Sequence, residues 1–438
     1  MNDPLLYARA FHFAATITVA GAVFFVAFIG GSAIRKAKNA AFLMAEVRTQ
    51  CAWVAWIGLV VSLLSGVAWF VLTAASMSGQ PLGNLASQGV LWTVLTQTEF
   101  GNDWLLRFVL ACALGGLFVH FLAVEGATSP GLKAVTVIFA AAFVGTLAFA
   151  GHAIGGQGIE GIVHPTADVL HLLAAAAWVG ALVPLALLLH AAGQDFDALT
   201  VARTALLRFS TLGIASVATI LVTGSINAWY LDGSIDALLG TDYGRLLLAK
   251  IVLFFGMVAI AAVNRLLLTP HIVLGGDLTA AQRALRHLRR NALIEATAGA
   301  TIIGIVAMLG ILPPASHAHH HAADHAIPAD AAFQHIHSDQ GMAEVTIDPG
   351  HTGVANVTIR LGDENEGPLA AQKVTLTLTP PVAGSKPITR SAWQDSDGLW
   401  RVDGIELWRP GDWTVTVSAT LGPGKRLVLA APIVIEPR

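Results

Sequence analysis

Eight apolar runs, each long enough to cross a lipid bilayer, constrain this chain more than any other feature. They cover residues 5–29, 52–74, 104–124, 132–150, 169–189, 209–231, 246–263 and 292–312. A transmembrane α-helix needs about 20 predominantly apolar residues. Charged residues make up only 12% of the chain, about half of the usual share in soluble proteins. The sequence therefore predicts an all-α polytopic membrane domain with eight transmembrane helices.

Lysine and arginine are distributed unevenly among the predicted loops. The loops after the first and seventh helices are rich in them: Arg35, Lys36, Lys38, Arg48, Arg265, Arg283, Arg286, Arg289 and Arg290. The alternate loops, 76–103, 151–168 and 232–243, contain no lysine or arginine. Positively charged loops stay in the cytoplasm. We therefore expect a bacterial inner-membrane protein with both termini on the periplasmic side.

Several classes of protein are excluded by what the sequence lacks. A formal net charge of −3 offers no basic surface for nucleic acid. No G-x-x-x-x-G-K-[ST] loop is present to bind ATP. Cys51 and Cys112 cannot build a disulfide framework or a thiolate zinc site. A transported ion would have to move by its own gradient, the membrane potential, a proton, or delivery from a partner.

The composition changes after Pro314. Residues 315–342 are predicted to be a histidine-rich linker, and residues 343–438 to be a small β-sandwich on the periplasmic side. Short runs such as ANVTIRL, KVTLTLT and DWTVTV alternate apolar and polar residues between turns, as β-strands do. We expect Trp400, Trp408 and Trp413 to supply the core of this domain.

The two halves of the membrane domain resemble each other. His12 is followed nine residues later by Gly21, and His171 nine residues later by Gly180. T-E-F-G at 98–101 and T-D-Y-G at 241–244 open the third and seventh helices, with Thr98 and Thr241 as expected N-caps. Ser65-Gly66 and Thr223-Gly224 occupy matching places in the second and sixth helices. This pattern predicts two parallel four-helix repeats.

Histidines gather near the periplasmic face and are candidate metal ligands, since ionisable residues inside a bilayer are functional candidates. They are His12, His152, His164 and His171. We expect His12 and His171 to lie at similar depth, facing each other across the repeat axis. The alternative for each is a core histidine bonded to a backbone carbonyl.

A second set of candidate ligands lies in the linker. It comprises His317, His319, His320, His321, His325, His335 and His337. Flexible histidine tracts of this kind bind Cu(II), Ni(II) or Zn(II). The tract is a candidate feeder of metal to the membrane domain.

Other charged residues near the membrane are predicted to be structural. Arg107 and Lys250 are expected to form ion pairs with the nearby carboxylates Glu99, Asp103 and Asp242 at the periplasmic ends of the third and seventh helices. Glu295 begins the eighth predicted span on the basic side, where Arg289 or Arg290 could neutralise it.

The stretches RFSTLGIASVATILVTGSINAWY, LLGTDYGRLLLAKIVLFFGMVAIAAVNR and HLLAAAAWVGAL resemble the membrane domain of the copper resistance protein D (CopD) family. The resemblance covers residues 1–314. The segments GLWRV and RPGDWTVTV are similar to the YtkA-like and CopC-like domains found fused to it. The resemblance implies copper as the ion, movement from periplasm to cytoplasm, and a periplasmic chaperone of CopC type as partner.

Three functions are consistent with these observations. The first is a non-enzymatic copper transport or homeostasis protein, in which the histidine tract feeds the periplasmic histidines. The second is an electron-transfer protein that holds b-type haem between His12 and His171, because paired histidines at equal depth are also what bis-histidine ligation requires. The third is a sensor or scaffold that anchors a copper-binding periplasmic module.

Overall fold

The computed structural model describes residues 3–30, 41–78, 80–87, 89–121, 129–150, 160–192, 199–232, 239, 241–273, 278–310, 328, 330–338, 341–363, 369–381, 386–422 and 425–437. The chain divides into two compact units, Met1–His320 and His321–Arg438. The first is helical and the second is built of β-strands. They correspond to the expected fold class, a polytopic helical domain followed by a small β domain.

Within the described residues, eight long helices build the first unit. They are α1 (Pro4–Phe24), α2 (Ala41–Ser78), α3 (Glu99–Phe121), α4 (Pro130–Gly145), α5 (Glu160–Trp178 and, after a short break, Leu182–Ala192), α6 (Leu199–Asp232), α7 (Asp242–Val263) and α8 (Leu278–Leu309). All eight are long and apolar enough to cross a membrane, which confirms the eight predicted spans. Short π-helical turns, Phe25–Gly30 and Asn264–Leu268, extend α1 and α7.

The helix starts that the sequence predicts in the two repeats are present. The Thr98 hydroxyl accepts a hydrogen bond from the Gly101 amide at 2.9 Å, and the Thr241 hydroxyl accepts one from the Gly244 amide at 3.0 Å. Each threonine therefore satisfies an amide that the helix leaves unpaired. The matching caps start α3 and α7 in the same way in both halves.

The two halves meet where α1 crosses α5. A Cβ atom placed on Gly21 would overlap the backbone of Gly180, and one placed on Gly180 would overlap the backbone of Ile17 and Gly21. Only glycine lets two backbones approach this closely. The two glycines that the repeat pattern singled out thus form the helix crossing, and α5 is interrupted there, between Trp178 and Leu182.

Burial differs strongly among the helices. In α1, 78% of the spanning window is buried inside the protein, whereas in α7 the share is 6%. Helix α1 therefore lies in the centre of the unit, and α7 turns most of its surface outward. The polar residues that α1 carries are consequently enclosed by protein.

The described part of the second unit contains eight antiparallel strands. They are β1 (Ala332–Ser338), β2 (Gly341–Asp348), β3 (Gly353–Gly362), β4 (Lys373–Thr379), β5 (Ile388–Gln394), β6 (Trp400–Leu407), β7 (Gly411–Gly422) and β8 (Lys425–Ile435). The spatial order is β1-β2-β3-β6-β5-β4-β7-β8 in one sheet. The inward-facing residues of its two halves form a single apolar core, so the expected small β domain is confirmed.

Two expectations about this unit were wrong in detail. Strand β1 and the start of β2 lie inside the segment predicted as linker, because Ile336 is buried and β1 pairs along β2. His335 and His337 on both sides of Ile336 made this segment resemble the histidine-rich linker, so that its strand pattern was not recognised in the sequence. Trp400 and Trp413 are core residues, but Trp408 is 53% exposed and packs edge-on against Trp413, since it follows the end of β6.

Candidate metal site

His12 lines a small cavity of the first repeat. Its Nδ1 is 2.9 Å from the backbone oxygen of Ser62, and because a carbonyl only accepts, Nδ1 carries the proton. The unprotonated Nε2 is buried and has no hydrogen-bond partner among the described residues. Metal-binding histidines commonly have this arrangement, with the second ring nitrogen donating to a carbonyl. His12 therefore presents a free lone pair.

The cavity next to His12, called here the first cavity, is nearly filled. Its volume is about 20 Å³ and Gly66, Trp104 and Arg107 help to line it. The ring of Trp69 lies 5.4 Å from that of His12. This volume is sufficient for about one water molecule. The first repeat thus encloses its histidine in aromatic and cationic side chains.

Arg107 forms the structural ion pair of the first repeat with Asp103, one of the two carboxylates expected beside it on α3. Its Nη2 lies 2.6 Å from Oδ2 of Asp103 and donates to the backbone oxygen of Thr146 at 2.5 Å. Glu99 is exposed and more than two helical turns from Arg107 on α3, whereas Asp103 is one turn away. The side chain of Asp242 is outside the described residues.

His171 has the same local geometry in the second repeat. Its Nδ1 is 3.0 Å from the Thr223 hydroxyl oxygen, and that hydroxyl donates to the backbone oxygen of Thr219 at 2.7 Å. The hydroxyl proton is thus engaged, so Nδ1 of His171 is the donor and Nε2 carries the lone pair. In both repeats a helix glycine lies against the ring, Gly66 for His12 and Gly224 for His171.

The surroundings of His171 are roomier and include several charged and polar side chains. It lines a cavity of about 260 Å³, called here the second cavity, together with Arg9, His164, Asp168, Asn227 and Lys250. His164 Nε2 lies 3.8 Å from Asp168 Oδ2, and the Asn227 amide donates to Asp168 Oδ1 at 2.5 Å. Lys250 and Asp168 thus line the same cavity, and the pairing of Lys250 with Asp242 stays a prediction.

His164, Asp168 and His171 lie on one face of α5. They are spaced by four and three residues, so successive side chains are about 6 and 4.5 Å apart along the helix axis. We call them the α5 ligand row. In the described part of the chain, no group of three or more His, Cys, Asp or Glu side chains is close enough to hold one metal ion. The row consequently offers separate ligands in series.

His12 and His171 do not share a site. His12 lines the first cavity and His171 lines the second; within the described residues neither lines both. The expectation that they face each other across the axis is wrong, because each ring is bonded to the second helix of its own repeat. Bis-histidine haem ligation needs both rings on one iron, so haem has no support.

The remaining candidate ligands are not brought to this site. His152, His317, His319, His320, His321 and His325, and the side chain of His337, fall outside the described residues. His335 lies on β1 in the second unit, with Nδ1 3.6 Å from Glu344.

Asp168 and Asn227 were not among the residues singled out from the sequence. The repeat itself contains the signal: Asp168 lies three residues before His171, as Arg9 lies three before His12. Asn227 lies three residues after Gly224, as Trp69 lies three after Gly66.

Two family models match the membrane domain. The model described as "Copper resistance protein D-like, N-terminal domain" matches residues 1–162, and the one described as "Copper resistance protein D" matches residues 203–309. Together these ranges cover more than half of the chain. The chain belongs to the copper resistance protein D family. The β domain lies outside both ranges.

Three curated relatives extend this finding. Copper resistance protein D of Pseudomonas syringae pv. tomato is 31% identical over 316 residues, 72% of this chain and 98% of the relative. Inner membrane protein YebZ of Escherichia coli K12 is 30% identical over 306 residues, 70% and 97% respectively. Copper transport protein CutJ of Bacillus subtilis 168 is 25% identical over 351 residues, 79% and 60%. No solved structure matches the chain.

These names and the eight spans confirm the resemblance stated from the sequence. The chain is a copper-related, multi-pass membrane protein, and its relatives are named for copper resistance, copper transport and the inner membrane.

Proposed function

We propose that this protein moves copper across the bacterial inner membrane, from the periplasm to the cytoplasm, by way of the second cavity. The observation that carries the proposal is the α5 ligand row, which lines a cavity of about 260 Å³, whereas the cavity beside His12 measures about 20 Å³. Copper is the substrate here, and the imidazole groups of His164 and His171 are suitable ligands for it.

Ligands in series favour passage over storage. An ion that moves through a protein must be bound strongly enough to enter and weakly enough to leave, which several weak sites achieve better than one strong site. Each member of the row offers one or two donor atoms. An ion bound at His164 would find Asp168 and then His171 about one helical turn further along.

The charges of the second cavity favour a monovalent ion. Arg9 and Lys250 are cationic and Asp168 is the one carboxylate among the described lining residues. Because repulsion scales with the charge of the entering ion, Cu(I) is admitted at lower cost than Cu(II). We therefore propose Cu(I) as the transported form.

The periplasmic orientation of the β domain and the feeder role of the histidine tract belong to the same proposal. Loops without lysine or arginine adjoin the α5 ligand row, so the positive-inside rule puts the row on the periplasmic side. There the tract at 317–337 would collect copper delivered by a chaperone of CopC type.

The test is copper accumulation in cells that lack the native gene and express the full chain. We expect His171→Ala to lower accumulation to the level of the empty vector, because the last ligand of the row is lost. His164→Ala and Asp168→Asn should each lower it less. The matched control is His287→Ala, which removes an exposed histidine of α8, and expression is checked by immunoblot.

Two outcomes would contradict the proposal. Full accumulation by a well-expressed His171→Ala variant would exclude the row as the route. If accumulation changed only on deletion of residues 316–438, the sensor or scaffold function would take its place.

A further inference from the structure

A buried acid lies in the membrane domain away from the copper route. Glu295 on α8 is only 2% exposed. It lines a cavity of about 350 Å³ bounded by the second part of α5, by α6, by α7 and by α8, and this cavity shares no lining residue with the second cavity. We call it the Glu295 cavity. Its walls are mostly leucine, isoleucine, valine, alanine and phenylalanine side chains.

The arginines expected from the sequence do not neutralise Glu295. Arg289 and Arg290 are exposed on α8. Instead, Oε1 of Glu295 accepts a hydrogen bond from the side-chain amide of Asn264 at 2.8 Å, and Oδ1 of Asn264 accepts one from Asn291 at 2.7 Å. The expected ion pair is replaced by a chain of neutral amides, because α8 turns the two arginines away from the bundle.

Besides Asn264, the Trp178 indole interacts with the Glu295 carboxyl group. Oε2 is buried and makes no hydrogen bond of standard geometry with the described residues. The polar groups facing the cavity are the Trp178 indole from α5, Ser210 from α6, and Asn264 and Arg265 from the α7 side. Arg265 is the one other charged group among the described lining residues, and its Nη1 is bonded to Ser210 Oγ at 2.5 Å.

An ionised carboxylate in such surroundings is costly. Burying an unpaired charge in an apolar site costs far more than burying a neutral polar group, so the group neutralises instead. Inside a membrane, an acid of this kind marks an ion or proton pathway by default. A proton on Oε2 removes the charge and leaves Oε1 as the acceptor for Asn264.

The proton would also be linked to the shape of α7. Asn264 is the first residue of the π-helical turn Asn264–Leu268, and its backbone oxygen accepts a hydrogen bond from the Thr269 hydroxyl at 2.7 Å. π-helical turns are frequent at functional sites. The Glu295 side chain therefore holds the residue at which α7 changes its hydrogen-bonding pattern.

We propose that Glu295 is a proton-binding site within the membrane, and that its proton accompanies the movement of copper. The first half of this proposal is independent of copper; the second half rests on the proposed function. The cavity shown here holds the protonated acid, and access of water to Oε2 releases the proton.

Proton binding is tested by infrared difference spectroscopy of the purified full-length protein between low and high pH. We expect a carbonyl stretching band of a protonated carboxylic acid in an apolar site, which is lost in Glu295→Gln. Glutamine has nearly the same shape as glutamic acid, and its side-chain oxygen can still accept the hydrogen bond from Asn264. Glu99→Gln, at an exposed acid of α3, is the control and should retain the band.

A further variant separates a direct role from a structural one. Asn264→Leu removes the donor to Oε1, so the band should persist at a shifted frequency. An unchanged band in Glu295→Gln, or its absence from the unmodified protein, would overturn the proton-binding site.

Coupling is tested by copper accumulation at two external pH values. We expect copper accumulation by the unmodified protein to differ between the two pH values. Glu295→Gln should accumulate less copper, and the same amount at both pH values. A variant that keeps the full pH response would overturn the coupling. If the unmodified protein accumulated no more copper than the empty vector, the proposed function would fail, and with it the coupling, while the infrared result would still decide proton binding.

Discussion

The two repeats hold their histidines in the same way but surround them differently. In each, Nδ1 donates to the following helix and a glycine lies against the ring. The first cavity measures about 20 Å³ and the second about 260 Å³. A shared scaffold therefore orients both imidazoles, and the neighbouring side chains decide whether anything can reach them.

Two matched positions account for much of the difference. Arg9 lies three residues before His12, and its guanidinium carbon is 5.7 Å from the centre of the Trp69 ring. At the same positions the second repeat has Asp168 and Asn227, joined by a hydrogen bond. The large Trp69 indole fills space beside His12, whereas the smaller Asp168 and Asn227 side chains leave room in the second cavity, which Arg9 also lines. The first repeat is therefore more tightly filled around its histidine than the second.

The largest effect is expected where the repeats touch. Gly21→Ala should destabilise the membrane domain by about 3 kcal/mol, because the added methyl meets backbone that cannot move aside. The measurement is the fraction of protein that stays monodisperse in detergent after heating. Gly213→Ala on α6 is the control, since nothing lies within 4 Å of its added Cβ. Equal stability of the two variants would contradict a close crossing of α1 and α5.

Exchanging the residues at the matched positions 69 and 227 tests whether the size of each cavity matters for transport. Asn227→Trp should lower copper accumulation to the level of the empty vector, because the indole would fill the second cavity and remove the donor to Asp168. Trp69→Asn, the reverse change, should leave accumulation intact. Asn227→Gln keeps the amide and is expected to retain most of the activity. Normal accumulation by Asn227→Trp would show that the difference between the cavities has no bearing on transport.

A smaller effect is expected from charge alone. Lys250→Met removes one cation from the second cavity. It should make the binding free energy of the copper ion more favourable by about 1 kcal/mol. That is about fivefold in the copper concentration that gives half-maximal accumulation. Lys133→Met, on α4 and outside the cavity, should leave that concentration unchanged. A higher half-maximal concentration in Lys250→Met would mean that Lys250 assists the ion.

The sequence alone determined the features that depend on neighbouring residues in the chain. Apolar runs of about 20 residues predict membrane helices because each helix satisfies its own backbone hydrogen bonds. Capping by Thr98 and Thr241 spans three residues, so it too could be predicted. The repeat singled out His12, His171, Gly21 and Gly180, since periodic patterns survive in sequence even where side chains differ.

Only the tertiary structure decided which side chains meet and how much space surrounds them. Sequence spacing left both Glu99 and Asp103 open as partners of Arg107, of which the structure pairs Asp103. It could not tell that Asn264 would reach Glu295 from another helix. Nor could it tell that two histidines at equivalent positions occupy separate cavities. Each of these outcomes depends on how helices rotate and cross, which is set by packing over the whole bundle. The contacts of the site and the space around its histidines therefore depend on the tertiary structure, whereas the transmembrane helices and their repeat could be predicted from the sequence.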